Sequence, residues 1–217
     1  MISLPLVYTI LALVSYTSSF WYLFIHLMSK RTPNLWCYGL IVVLGLILHG
    51  LVLSQDMITP LGVNYDVFNL ISFTSGLMLS LSLILSLIRP ILPLNLIGIP
   101  VAAIGLILGF SLSQSNQTIE HHGVGLDTHI ILSLSAYAVL LMAAVQAVLL
   151  WFQDRELKKK KKKRIWVNLL PPFQVMESLL FDLIIPGFVF LPVLLIFDYF
   201  TINNLFNKKI THKTTFS

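Results

Sequence analysis

Apolar residues run in blocks of about twenty along most of this chain, and polar residues collect in the short gaps between them. A helix needs ~20 mostly apolar residues to cross the hydrocarbon layer of a bilayer. Six stretches qualify, at roughly 4–28, 35–53, 67–88, 91–112, 129–152 and 179–200. The pattern therefore predicts an all-α fold, a polytopic transmembrane helical bundle of about six spans. Residues 1–217 read as a single integral membrane domain. The first stretch has no basic leader and no small-residue cleavage site, so it reads as a retained span and not as a signal peptide.

The polar gaps carry an orientation. Lys30 and Arg31 follow the first span, Arg89 lies between the third and fourth, and Arg155, Lys158 to Lys163 and Arg164 follow the fifth. If every stretch crosses, these places share one side, and excess Lys and Arg mark the cytoplasmic side. The N-terminus is then outside. The opposite loops hold Asp56, Asp66, Glu120 and Asp127 and no Lys or Arg. Lys208, Lys209 and Lys213 in the tail are the exception. The longest polar interval, about 153–178, reads as a basic cytoplasmic loop with an amphipathic segment. Pro171 and Pro172 suit a helix start, and Phe173, Met176, Leu179 and Leu180 recur at helical spacing, so a short surface helix is expected before the sixth span. Inside that span, Pro186 and Pro192 are expected to kink the helix.

Composition narrows the function. Charged residues make up 11% of the chain and apolar ones 57%. Soluble domains are roughly a quarter charged, so no soluble domain of ordinary size fits between the spans. The one cysteine, Cys37, can form no internal disulfide and has no CxxC partner. The net charge of +5 is concentrated in Lys158–Arg164, which suits a topology anchor touching anionic lipid better than it suits nucleic acid. No nucleophile–base pair, phosphate loop or HExxH is legible, so the chain does not read as an enzyme.

Imidazole is the commonest metal ligand, and an ionisable group near a membrane needs a partner. His49, His129 and His212 all fall at the outer ends of apolar segments under this topology. His49 either hydrogen-bonds between helices or ligates, and its neighbour Gly50 lets another helix come close. His129 opens the fifth span, with Ser133 and Tyr137 four and eight residues on. That stripe suggests a lined cavity, although an interfacial histidine wetted by headgroups has the same pattern. His212 in isolation reads as a solvated tail residue. His121, His122 and His26 read as exposed or interfacial. Asn69 and Gln146 are expected to make interhelical hydrogen bonds.

Several words of the sequence resemble a family. Thr128-His-Ile-Ile-Leu-Ser-Leu-Ser-Ala-Tyr137, Gln146-Ala-Val-Leu-Leu150 and Leu170-Pro-Pro-Phe-Gln-Val-Met-Glu-Ser-Leu-Leu-Phe181 are similar to the cytochrome c assembly family of haem-handling membrane proteins. Leu48-His-Gly50, Phe68-Asn-Leu70 and His212-Lys-Thr214 resemble its bacterial inner-membrane subgroup of the HemX and YpjD type. The resemblance implies haem bound or presented on the outer face of the bacterial inner membrane. It implies His129 and His212 as ligands to the haem iron, His49 as a further haem-site histidine, and Ser133, Tyr137 and Asn69 as groups that orient them. Other cytochrome c assembly proteins or apocytochrome are the implied partners. The tryptophan-rich outer segment of the haem-delivering branches is absent, since Trp21, Trp36, Trp151 and Trp166 are scattered. Haem binding or an accessory role is thus expected over direct handover. The chain ends soon after His212, so it reads as a C-terminally shortened member. The competing expectations are a transporter-like membrane protein without haem and a regulator of tetrapyrrole synthesis.

Overall fold

A computed structural model describes residues 4–29, 31–59, 62–89, 91–113, 124–158 and 170–214. Val124, Leu126, Leu191 and residues 197–214 are described by backbone alone. The order is α1 (Leu4–Met28), α2 (Leu35–Met57), β1 (Ile58–Thr59), β2 (Gly62–Val63), α3 (Val67–Ile88), α4 (Asn95–Leu112), α5 (Val124–Leu157) and α6 (Phe173–Thr214). A single 3₁₀ turn, Leu92–Leu94, leads into α4. Among the described residues, six helices are long and apolar enough to cross a membrane.

Local chemistry sets the helix starts. The Asn34 carboxamide oxygen accepts from the Trp36 and Cys37 backbone N–H groups, and the Asp66 carboxylate accepts from that of Phe68. Both are side-chain oxygens filling donors that the first turn leaves open. Between α2 and α3 the chain makes a small antiparallel ladder, Ile58 opposite Val63 and Thr59 opposite Gly62.

The helices pack as three consecutive antiparallel hairpins, α1 with α2, α3 with α4 and α5 with α6. The first two join into a four-helix unit, with α4 on α1 and α3 on α2. Its apolar core includes Ala12, Tyr16, Leu23, Val42, Leu79 and Leu106. The α5–α6 hairpin docks against α3 through a second core built from Met78, Leu94, Met142, Met176, Leu179 and Leu183. Alternation puts Arg31, Arg89, Arg155 and Lys158 at one end, here called the basic end; the β1–β2 hairpin, Asp66 and Asp127 lie at the far end.

Close approach is paid for by glycine at the α3–α4 contact. A Cβ on Gly105 would stand 2.0 Å from Ser75 Oγ, and one on Gly109 would stand 2.7 Å from Ser72 Cβ. Small residues four apart let two helix backbones touch where lipid supplies no hydrophobic drive.

Two expected boundaries differ. Helix α2 runs on to Met57, and α5 starts at Val124 and ends at Leu157, each longer than its apolar block. Among the described residues no separate surface helix precedes the sixth span. Residues 153–157 are the last turns of α5, and Phe173 begins α6, which continues without a break through Pro186 and Pro192. The apolar stripe is used inward instead, with Met176 and Leu179 fully buried against α5. Lys158 pairs with Asp154 across one turn at 2.6 Å, while the rest of the basic run to Arg164 lies outside the described residues.

Candidate functional site

The two far-end histidines whose side chains are described sit in opposite kinds of surroundings. His49 is 1% exposed, inside the four-helix unit. Its Nδ1 lies 3.0 Å from the Tyr16 hydroxyl of α1, and its Nε2 lies 2.9 Å from the Ser72 hydroxyl of α3. A neutral imidazole has one N–H donor and one acceptor nitrogen, and a hydroxyl can serve as either partner. Both ring nitrogens are therefore satisfied, and His49 ties α1, α2 and α3 together. Gly76 makes room for the ring, since a Cβ there would stand 3.3 Å from His49 Cε1.

His129 is half-buried near the start of α5, and its Nε2 lies 3.3 Å from Ser133 Oγ, one turn on. The expected His–Ser contact is formed. Tyr137 departs from the expected stripe, being 61% exposed. Eight residues at 100° each rotate it some 80° from His129, enough to turn it off the shared face.

The far end is closed by a second contact. Tyr65, just before α3, donates its hydroxyl to Asp127 Oδ1 at 2.8 Å. Burial foremost, then the Asp127 carboxylate, push the Tyr65 phenol well above its ordinary pKa, so it keeps its proton and acts as donor at neutral pH. This bond also sets depth. With Tyr65 level with Asp127, the Ser72 turn that holds His49 lies about one and a half turns deeper than His129. The matching depth implied by the apolar blocks is thus lost.

Beneath the Tyr65–Asp127 contact is a cavity of about 480 Å³, lined by His49, Gly50, Tyr65, Phe73, Gly76 and Ile131 among others. A second, of about 420 Å³, lies on the other side of α3 and is bounded by Ile71, Ile104, Leu134 and Leu141. Both volumes fall in the range of ligand pockets. Asn69 shares the α3 face of Phe73, Gly76 and Ser80, at spacings of four, three and four. It is fully buried, and among the described residues neither end of its carboxamide meets a partner. The interhelical hydrogen bond expected of Asn69 is not made.

Gln146 meets its expectation. Its Nε2 donates to the Met176 carbonyl at 2.9 Å, and two turns on Gln153 Nε2 donates to the Pro171 carbonyl at 2.8 Å. The Pro-Pro segment is thereby pinned to α5. With Leu140 lying against Gly187, these pairs fix the antiparallel register of α5 and α6. That register brings α6 past His129 near residue 195, and on a continuous helix residue 212 lies roughly 25 Å further along. His212 itself is among the residues described by backbone only, and His121 and His122 lie outside the described residues.

A family model for cytochrome c assembly proteins matches residues 4–217. The chain belongs to the cytochrome c assembly family. No curated protein and no solved structure matched it. Membership joins a multi-pass membrane bundle to the biogenesis of cytochrome c. The haem for which the family is known is tested here by donor chemistry. Imidazoles are present at the far end, beside ligand-sized apolar space. His129 is partly accessible there. His49, with both nitrogens hydrogen-bonded, would have to give up one hydroxyl partner before it could ligate.

The sequence reading missed Tyr16, Ser72, Tyr65 and Gln153. Tyr16 stands 33 positions from His49 and Tyr65 stands 62 from Asp127, separations at which no periodicity speaks. The dense serines of α3 were the available signal.

Proposed function

We propose that this cytochrome c assembly family member binds haem at the far end of the bundle, with His129 as an axial ligand, as an assembly or accessory factor in the bacterial inner membrane. The basic end then faces the cytoplasm and the N-terminus faces out, as the distribution of Lys and Arg supports. The observation that carries the reading is the position of His129: half-buried, near the start of α5, two residues before Ile131, which lines the cavity of about 480 Å³. When bound, haem would supply an iron that imidazole nitrogens can ligate. The chain's own part is orientation. Ser133 lies against Nε2 of the His129 ring and helps to hold the ring's orientation. His49, released from Tyr16 or Ser72, or His212, should the end of α6 turn back, would be the second ligand.

A second reading is favoured by one observation. The saturated Tyr16–His49–Ser72 bonding is what a helix-locking histidine needs, and a transporter-like bundle without haem would keep it. Visible spectra of the detergent-purified chain with added haem separate the two. A sharp Soret band with split reduced α and β bands, lost in His129→Ala, supports ligation. Parallel His49→Ala and His212→Ala spectra identify the second ligand. A broad free-haem spectrum, unchanged by His129→Ala, overturns the haem reading.

A further inference from the structure

Among the described residues, a polar clamp near each end joins the α5–α6 hairpin to the four-helix unit. At the basic end Arg89 Nη2 bonds Asp182 Oδ2 at 2.8 Å. At the far end Tyr65 bonds Asp127 at 2.8 Å. Their settings differ. Near Arg89–Asp182 the two parts also share the buried core of Met78, Leu94, Met142 and Met176. Near Tyr65–Asp127, α5 is flanked by the cavities of about 480 and 420 Å³, which lie on either side of α3. Apolar packing there is interrupted, and a hydrogen bond takes its place in holding α5.

We infer that Tyr65 and Asp127 are positioning residues: their bond fixes the far end of α5, sets where His129 stands, and bars the opening between α3 and α5 to a flat, membrane-borne ligand. The part concerning His129 and its ligand rests on the haem reading above; the part concerning α5 does not. Tyr65 itself lines the larger cavity together with Ile131 of α5, so breaking the bond frees one wall from the other. Asp127 is two residues from His129 on the same helix, so a displacement of that turn moves the imidazole with it. Opposite the clamp, the polar atoms of Ser54 and Ser80 are spent on the Leu51 and Leu77 carbonyls, so the cavity wall offers an entering ligand mainly apolar contact.

The test uses the full chain in lipid nanodiscs, spin-labelled at Ile58 and Thr128, without haem. Tyr65→Phe and Asp127→Ala should broaden and lengthen the label-to-label distance distribution. Asp127→Asn keeps an acceptor oxygen for Tyr65 and should restore the narrow one. Arg89→Ala should leave it unchanged. Haem association, followed at the Soret band, should be several-fold faster in Tyr65→Phe, with a shifted band or potential that Asp127→Asn does not show. Identical distance distributions in wild type and both clamp-breaking variants overturn the inference even if haem binds. A distribution that opens in a chain that takes up no haem leaves the clamp standing and removes the haem reading.

Discussion

The four-helix unit and the α5–α6 hairpin solve the same problem in different ways. In the first, polar side chains are paired across helices and glycines admit backbone contact, as at Tyr16–His49–Ser72 and Gly105–Ser75. In the second, polar groups mostly bind backbone carbonyls within the hairpin, as Gln146 and Gln153 do, and docking to the unit is tight only toward the basic end. The lesson concerns histidine. Within the closed unit an imidazole is a structural crosslink between helices, whereas at the loose end of the hairpin it is half-buried and bonds a serine of its own helix.

The largest effect should come from filling the α3–α4 contact. Gly105→Leu has no space at Ser75 and should destabilise the detergent-solubilised chain by about 3 kcal/mol, read by thermal unfolding. A melting curve like that of wild type would mean that the unit is not close-packed there. Next, His49→Ala should lower stability by about 2 kcal/mol, through a cavity and two hydroxyls left without their partner. His129→Ala, partly exposed, should change stability by less than about 1 kcal/mol while abolishing the haem spectrum. Equal destabilisation by the two would break the comparison. A double-mutant cycle of Tyr16→Phe with His49→Ala should give a coupling near 1 kcal/mol, and a value of zero would mean that the bond contributes nothing. The smallest effect is expected from Arg89→Ala. The pair is about two-fifths exposed at both members, so unfolding should shift by less than about 0.5 kcal/mol.

The spans were legible because an apolar block of spanning length has few other uses, and helices α1, α3 and α4 appear close to where hydropathy puts them. The helix start after Pro171 and Pro172 was legible, but what its apolar stripe faces was not, for a physical reason. A stripe of Phe173, Met176 and Leu179 faces something apolar, and the sequence does not say whether that is lipid or α5. The partner that decided it, Gln153 reaching the Pro171 carbonyl, is a contact between two polar groups in what looked like a loop. His49 was legible as a choice between crosslink and ligand but no further, since Tyr16 and Ser72 come from other helices. The Ser133 contact of His129 was legible because four residues is one turn.

Ser72 belongs to two contacts at once. Its side chain fills the space that glycine leaves at position 109 on α4, and its hydroxyl holds His49, whose other nitrogen holds Tyr16 on α1. One added methyl group on α4 would therefore have to move a serine on α3, and through it an imidazole on α2 and a phenol on α1. The first four helices behave as a linkage with a single serine as its pin, so a change on α4 reaches α1 by way of α3 and α2 as well as through their direct contact.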